Sequence, residues 1–208
     1  MRIAIFGAGG VIGQLIAREV LSRGHEVTAV VRDVTRAPKF DAQVTVVRGD
    51  AMDAASVASV AKGADAAVSA VSPVSSLTAV ARALIAGLPR AGVKRLIIVG
   101  GAGSLLMPDG KQQVDEPNFP AMWKPGALAQ RDALEVYRAQ AGALDWTYIS
   151  PASEMMSGER TGRYRVGGDH VLTDATGQSR ISNEDYAVAV VDELERPAHL
   201  RQRITVAY

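Results

Sequence analysis

The sequence has no cysteine, no long apolar run and no excess of either charge. Without cysteine the chain has no disulfide, no thiolate nucleophile and no cysteine ligand for a metal. Its apolar runs fall well short of the roughly 20 residues that a membrane-spanning helix needs. With 23 Lys and Arg against 22 Asp and Glu, the charge balance does not call for nucleic acid. We expect a soluble cytoplasmic protein that binds neither nucleic acid nor membrane.

Two catalytic patterns are also missing from the sequence. No Gly-x-Ser-x-Gly segment is present, which argues against a serine hydrolase. The histidines His25, His170 and His199 are scattered and lack the spacing of metal ligands, so we predict no metal site.

Short apolar runs rich in Val, Ile and Ala alternate with helical patterns along the chain. Continuously apolar runs are expected where helices cover both faces of a parallel sheet. We predict an α/β fold, a Rossmann-like, doubly wound and mainly parallel seven-stranded sheet with helices on both faces, as a single domain over residues 1–208. The predicted strands are 3–6, 27–31, 44–47, 66–71, 96–99, 146–149 and 204–207. The predicted helices are 11–22, 54–62, 76–90, 127–140 and 183–193.

Two segments interrupt this alternation. Residues 102–126 contain four prolines, and residues 152–180 are rich in Gly, Arg, Ser and Thr. Both follow the carboxyl ends of predicted strands, where open α/β sheets bind ligands. We predict that both are substrate-covering loops, with plain exposed connections as the alternative.

Residues 7–13, Gly-Ala-Gly-Gly-Val-Ile-Gly, lie between the first predicted strand and the first predicted helix. Glycine there permits a tight turn, a close approach of backbone to pyrophosphate, and close packing of helix on sheet. No carboxylate follows in the first helical turn, so its N–H groups remain open to phosphate. A glycine turn in a complete βαβ unit predicts a dinucleotide site. The predicted contacts are Gly7, Gly9, Gly10, Val11, Ile12 and Gly13.

The second predicted strand is followed by Arg32 and Asp33, about 20 residues beyond the glycines, where the adenosine ribose is read. A guanidinium at Arg32 matches the 2′-phosphate of NADP, whereas a carboxylate facing the ribose favours NAD. If the register were one residue longer, Asp33 instead of Arg32 would face the ribose and favour NAD. NADP is therefore the leading prediction, with NAD as the alternative. Arg36 either assists Arg32 or is solvated.

Other predicted cofactor contacts follow the third and fourth strands. Asp50, followed by Ala51, could accept a hydrogen bond from the adenine amino group, although a turn or a helix cap is an equal alternative. Small residues at 69–72, ending in Ser72, would let the cofactor lie flat against the backbone.

With the glycine turn, Arg32, Gly49-Asp50 and the segment 96–104, Leu-Ile-Ile-Val-Gly-Gly-Ala-Gly-Ser, the chain resembles the atypical short-chain dehydrogenases/reductases. It is most similar to the NAD(P)H-binding, NmrA-like group that includes NADH-flavin reductases, and more distantly to biliverdin reductase B. The likeness covers nearly the whole chain, including residues 150–152, 158–162 and 181–187. It implies a nucleotide-binding fold, a flavin- or quinone-type acceptor, and further cofactor contacts at Gly100, Gly101 and Pro151.

One departure from this resemblance concerns the catalytic acid. Conventional members of the family use Tyr-x-x-x-Lys, but the corresponding residues 121–127 read Ala-Met-Trp-Lys-Pro-Gly-Ala. A reaction that needs a placed acid beside a developing alkoxide is therefore in doubt. Hydride transfer to a flavin or quinone needs alignment of two rings more than a protein acid, and solvent can supply the proton.

The acceptor side offers several candidate residues. Trp123, Met155 and Met156 are predicted substrate surfaces, although such side chains more often pack a loop. Lys124 and Ser104 are the catalytic candidates, Lys124 as a charge near the ribose or the acceptor and Ser104 as a hydrogen-bond donor. Solvation of Lys124 and a capping role for Ser104 are their alternatives.

A basic segment follows at residues 158–168, with three arginines among its glycines. Arg160 is predicted to contact an anionic ligand such as the phosphate of FMN, and exposed charge is the alternative reading.

The leading hypothesis is an oxidoreductase that moves hydride from NADPH to a flavin (FMN or FAD) or a quinone, acting as a monomer or homodimer. The alternative is a non-catalytic, NmrA-like sensor that binds NAD(P) and changes its contacts with a partner protein. A sugar-nucleotide epimerase or dehydratase is weaker, because its tyrosine is absent and the chain is short.

Overall fold

The computed structural model describes residues 1–72 and 74–208, and strands and helices alternate through most of this length. Its strands are β1 (Arg2–Phe6), β2 (Glu26–Val31), β3 (Thr45–Arg48), β4 (Ala66–Ser69), β5 (Arg95–Val99), β6 (Asp145–Pro151), β7 (Glu154–Met156), β8 (Arg165–Gly167), β9 (Arg180–Ser182) and β10 (Gln202–Ala207). Its α-helices are α1 (Val11–Ser22), α2 (Ala54–Val60), α3 (Leu77–Gly87), α4 (Lys124–Gln140) and α5 (Asn183–Glu195).

The main sheet has the strand order β3-β2-β1-β4-β5-β6-β10-β8. Its first seven members are mutually parallel and correspond to the seven predicted strands. The predicted Rossmann-like, mainly parallel architecture is confirmed.

The strand count is a correction to the prediction. An eighth strand, β8, pairs antiparallel with β10 at the edge, and β7 pairs with β9 in a separate two-stranded sheet. Each of these three strands has only three residues, too few for a hydrophobic period to be read.

Helices pack on both faces of the sheet and enclose two apolar cores. On one face α1 and α5 cover a core that includes Ile16 and Val190. On the other face α2, α3 and α4 cover a core that includes Leu84 and Leu134. This two-sided burial is the reason that the strand sequences are continuously apolar.

Prolines explain two differences at helix ends. Helix α3 stops at Gly87, two residues before Pro89, because proline removes a backbone N–H and clashes with the preceding turn. Helix α4 begins at Lys124 although Pro125 follows, because the first turn of a helix needs no N–H from that residue. The predicted covering loop 102–126 is therefore shorter at its carboxyl end.

The two predicted covering segments are joined to each other. Leu106 bridges to His170, with its N–H donating to Asp169 at 2.8 Å and its carbonyl accepting from Val171 at 3.0 Å. The buried guanidinium of Arg203 donates to Ser104 and to Asp169 at 2.6 to 3.2 Å. These contacts make one connected wall of both segments.

Two searches of the described residues, 1–72 and 74–208, gave negative results. None of the helices there is long and apolar enough to cross a membrane. No group of three His, Cys, Asp or Glu side chains there is arranged to hold a metal ion.

Candidate functional site

The site begins where the chain reverses direction across the sheet. Strand β1 lies between β2 and β4: the chain runs outward from β1 through β2 to β3, and then crosses back to β4 on the other side of β1. A crevice opens at the carboxyl ends of strands at such a position, and ligands of open α/β sheets bind there. The glycine turn that follows Phe6 lies at this edge.

A cavity of about 440 Å³ occupies this crevice. It extends from the glycine turn past the carboxyl ends of β2, β3 and β4. Its lining residues are Phe6, Gly7, Gly9, Gly10, Val30, Val31, Arg32, Asp33, Arg36, Ala37, Pro38, Gly49, Asp50, Ala51, Met52, Ala70, Val71, Ser72, Ser76 and Val80.

The glycines of the turn have two different roles. Gly7 has φ +80°, and a Cβ there would lie 2.5 Å from the carbonyl oxygen of Ala70. A Cβ on Gly13 would lie 2.3 Å from the carbonyl oxygen of Gly7. A Cβ on Gly9 or on Gly10 would have no protein atom nearer than 3.5 Å. Gly7 and Gly13 must be glycines because a side chain would collide with the protein's own backbone. Gly9 and Gly10 instead leave room for a ligand.

Helix α1 starts at this open part of the turn. Gly10 is its N-cap and provides no side-chain cap, and the first turn contains no acidic residue. Uncapped N–H groups at the positive end of a helix attract anions. Together with the space above Gly9, this geometry fits a pyrophosphate.

The carboxyl end of β2 presents Arg32 and Asp33 to the cavity. The Asp33 carboxylate accepts from the Thr35 N–H at 2.9 Å and from the Thr35 hydroxyl at 2.7 Å. These bonds from Thr35 lower the pKa of Asp33, and the nearby Arg48 adds to the effect. The guanidinium groups of Arg32 and Arg36 form no ion pair with any described residue. On this wall the two guanidinium groups have no described side-chain partner, whereas the Asp33 carboxylate is engaged by Thr35.

Asp50 also lies on the cavity wall, beside Ala51. Its carboxylate accepts from the Met52 N–H at 2.9 Å, which makes it a turn residue. The cap of α2 is Asp53, which accepts from the Ala55 N–H at 2.9 Å, so the alternative that Asp50 caps this helix is wrong.

The remaining predicted cofactor contacts lie outside the cavity lining. Val11 and Ile12 begin α1, with Val11 exposed, and Gly100 and Gly101 follow β5. Pro151 ends β6, the strand next to β5. Gly100, Gly101 and Pro151 thus lie along the same edge of the sheet beyond β4, whereas Val11 and Ile12 lie beside the glycine turn.

The predicted acceptor residues fall on two elements. Trp123 and Lys124 lie at the exposed start of α4, and the Trp123 side chain is 58% exposed. Both methionines belong to β7, where Met155 packs against the α1 and α5 core and Met156 is 62% exposed. Neither pair lines the cavity.

Ser104 and Arg160 are predicted ligand contacts that the structure commits to other residues. Ser104 is 5% exposed, and its hydroxyl oxygen accepts from Arg203 at 2.9 Å. Arg160 holds both carboxylate oxygens of Glu19 at 2.7 and 2.8 Å. This pairing raises the pKa of Arg160 and lowers that of Glu19, as expected for a salt bridge. The structure therefore gives both side chains protein partners, and their ligand contacts stay predictions.

Several wall residues were not predicted. Ala37 and Pro38 close the side opposite Gly9, and Met52 contributes an apolar surface next to Asp50. The available signal for Pro38 was its place in the loop that follows the carboxyl end of β2. Nothing in the sequence shows that this loop folds back toward the glycines.

A family model of NAD(P)H-binding proteins matches residues 7–197 of the chain. The chain belongs to this family of atypical short-chain dehydrogenases/reductases. The match spans the glycine turn, the cavity wall and both covering segments, so the predicted family membership is confirmed.

Three solved structures show the range of proteins related to this family member. A Burkholderia pseudomallei protein described as a candidate exported protein is 45% identical, with a TM-score of 0.91 and full coverage of both chains. A candidate epimerase from Bacteroides thetaiotaomicron is 39% identical, with a TM-score of 0.92, and the match covers 100% of this chain and 96% of that one. A candidate NADH-flavin reductase from Streptococcus pneumoniae TIGR4 is 33% identical, with a TM-score of 0.85 and coverage of 100% and 99%. This NAD(P)H-binding chain thus belongs to an oxidoreductase family whose members carry different descriptions.

Proposed function

We propose that the protein is an NADPH-dependent reductase that transfers hydride to a flavin or a quinone-type acceptor. The observation that carries this proposal is the cavity at the β1 crevice, with open glycines at one end and unpaired arginines at the other. Gly9, Gly10 and the first N–H groups of α1 would hold the pyrophosphate. Arg32, with Arg36, would hold the 2′-phosphate, because guanidinium groups pair with phosphate through several donors.

The acceptor class follows from the chemistry that the chain lacks. Its sequence contains no Tyr-x-x-x-Lys, and Ser104 is buried against Arg203. Bound NADPH supplies hydride from C4 of its nicotinamide, and flavins and quinones accept it while solvent supplies the proton. The exposed side chains of Trp123 and Met156 suit a planar acceptor, and Lys124 would add a positive charge beside it.

The descriptions of the related structures support the proposal only in part. The Streptococcus pneumoniae protein is described as a candidate NADH-flavin reductase, which agrees with it. The Bacteroides thetaiotaomicron protein is described as a candidate epimerase. Sugar-nucleotide epimerases rely on a tyrosine acid/base that this chain lacks, so we favour the reductase.

Oxidation of NADPH, followed at 340 nm, tests this function. The purified protein is mixed with NADPH and, in separate assays, FMN, riboflavin or 1,4-benzoquinone. We expect turnover of about 1 per second or faster with at least one acceptor, corrected for the rate without protein. Tight binding of NADPH without turnover for any acceptor would overturn the reductase and favour the NmrA-like sensor.

We also propose a cytoplasmic location, where NADPH is kept reduced, and a monomer or homodimer without nucleic-acid or membrane partners. The Burkholderia pseudomallei relative is described as a candidate exported protein, so the location needs its own measurement. Cell fractionation tests the location, and light scattering of the purified protein tests the oligomeric state. Recovery of the protein outside the cytoplasm, or a larger assembly, would contradict them.

A further inference from the structure

The turn Gly100–Gly101 lies two strands from the glycine turn of the cofactor cavity. It follows β5, whose neighbours are β4 and β6. If the adenosine half of NADPH lies beside Arg32 at β2 and the pyrophosphate lies above Gly9 at β1, the nicotinamide half extends over the ends of β4 and β5. This placement rests on the proposed function. The backbone of Gly100 and Gly101 is then the surface beneath the reacting ring.

A buried tyrosine supports this turn from the α2, α3 and α4 face. A Cβ on Gly100 would lie 2.1 Å from the ring of Tyr148, so the ring fills the space beneath the glycine. The Tyr148 hydroxyl donates to the side-chain oxygen of Gln130 at 2.7 Å, and Tyr137 packs beside its ring with centroids 6.5 Å apart. Burial raises the pKa of Tyr148, and a hydrogen bond with the backbone of Gly101 opposes this only in part.

A second buried tyrosine supports the turn from the opposite face. Tyr186, on α5, donates to the carbonyl oxygen of Ile149 at 2.6 Å. The same carbonyl accepts from the N–H of Gly100 at 2.9 Å. Burial also raises the pKa of Tyr186, and the backbone of Gly100 again opposes the rise. The two phenols therefore approach the same backbone turn from the two cores of the protein.

We propose that Tyr148 and Tyr186 are positioning residues that hold the Gly100–Gly101 turn as a rigid floor for the nicotinamide half of NADPH. Both side chains are 0% exposed, so neither phenol can reach a substrate as an acid. Their effect is transmitted through the backbone of the glycines. Removing either phenol loosens the floor and leaves the glycine turn at residues 7–13 and Arg32 unchanged.

The test compares NADPH with adenosine 2′,5′-bisphosphate, a ligand that has the adenosine half and no nicotinamide. Calorimetry is carried out on the wild type, Tyr148→Phe and Tyr186→Phe. Each variant is expected to bind NADPH about fivefold more weakly, the size of one neutral hydrogen bond, with unchanged affinity for the bisphosphate. Tyr164→Phe is the control, because that phenol donates to Asp192 and has no contact with the turn. It should bind both ligands like the wild type.

A further variant covers the case in which Tyr148→Phe does not fold. Gln130→Ala removes one of the two acceptors of Tyr148, its side-chain oxygen, and leaves the backbone acceptor in place. We expect about twofold weaker NADPH binding and unchanged bisphosphate binding.

The outcomes separate this inference from the proposed reductase. Equal weakening of both ligands would show a general loss of structure, and unchanged NADPH binding in both tyrosine variants would show that the floor is not needed. Either result overturns the inference. If the wild type binds NADPH but reduces no acceptor, the reductase falls while the binding comparison still decides the role of the tyrosines. If the wild type binds no NADPH, both fall.

Discussion

Arg32 and Asp33 are neighbours in the sequence, and both lie on the cavity wall. They differ in what their charges contact. One oxygen of the Asp33 carboxylate accepts hydrogen bonds from the N–H and the hydroxyl of Thr35, while Arg32 has no described partner. This difference could not be read from the sequence, where a shift of one residue exchanges the two side chains. The prediction that Arg32 meets the ribose end of a cofactor rests on this difference.

Replacing Arg32 tests this cofactor preference. We expect Arg32→Ala to weaken NADPH by about 1.5 to 3 kcal/mol, the scale of a charged hydrogen bond, and to leave NADH nearly unchanged. Dissociation constants from calorimetry measure both values. Arg90→Ala is the matched control, since Arg90 is exposed next to the amino end of β5, at the opposite edge of the sheet. Equal losses for NADPH and NADH would contradict the assignment.

The glycines of the cofactor turn give a second prediction for single residues. Gly7→Ala forces a side chain onto φ +80° and into the carbonyl of Ala70, so we expect roughly 1 to 3 kcal/mol or more of lost stability. Gly9→Ala has open space, with Pro38 as the nearest contact at 3.6 Å, and should keep the wild-type melting temperature. It should nevertheless weaken NADPH about tenfold by blocking close approach of the pyrophosphate. Unchanged NADPH affinity in a folded Gly9→Ala protein would argue against a ligand above this turn.

At the level of elements, the segment between β7 and β8 is held down by carboxylates of α1 and α5. Glu184 accepts from the N–H of Gly158, Glu19 pairs with Arg160, and Asp185 accepts from Thr161 and Gly162. A loop with little apolar content is thereby fixed without a strand or helix of its own. The arginines of this segment looked like ligand contacts in the sequence because the glutamate that pairs with Arg160 lies 141 positions away.

These carboxylates make the stability of the protein dependent on pH. Burial alone would raise the pKa of Asp185, but hydrogen bonds from Thr161, Gly162 and Tyr208 outweigh it and lower the pKa below 3.8. A carboxyl whose pKa is lower in the folded state stabilises the protein above its unfolded pKa, and this contribution disappears as the pH falls through the folded value. We expect a nearly constant melting temperature from pH 7 to about 5 and a steep fall below about pH 4.

The variant Asp185→Asn separates this residue from general acid effects. At pH 7 it should lose about 1 to 3 kcal/mol, because an amide cannot accept all the bonds that the carboxylate accepts. Its melting temperature should also fall less steeply in acid. Asp132→Asn, at an exposed position on α4, serves as the control and should follow the wild type at every pH. A parallel acid profile for Asp185→Asn and the wild type would rule out the proposed contribution.

For the whole molecule, Arg203 is the residue that connects the two covering segments. Its side chain is 3% exposed and joins Ser104 of the first segment to Asp169 of the second. A serine near the predicted acceptor site looked catalytic in the sequence, whereas the fold uses it as a partner of this guanidinium. The covering segments are thus expected to act as one rigid wall.

Replacing Arg203 with leucine should loosen both segments together. We expect a loss of about 2 kcal/mol, since Arg203→Leu removes the donor to the buried hydroxyl and carbonyl oxygens of Ser104, while Asp169 keeps its bonds from Arg138 and Leu106. Hydrogen exchange should become faster in residues 103–116 and 168–172 in parallel, while the strands β1 to β5 keep their protection. Arg82→Leu, on the exposed side of α3, is the control. Faster exchange in only one of the two segments would show that they are not coupled.

The sequence by itself determined the parallel sheet, the five helices and the position of the dinucleotide turn. Apolar period, capping residues and glycine spacing are local properties, and a local pattern is enough to predict elements and their order. Only the tertiary structure decided that the charge of Arg32 has no described partner while that of Arg160 is paired with Glu19, and that the hydroxyls of Ser104 and Tyr148 are buried. Those outcomes depend on partners far apart in the chain, because a salt bridge or buried hydrogen bond forms only after the sheet has brought its ends together.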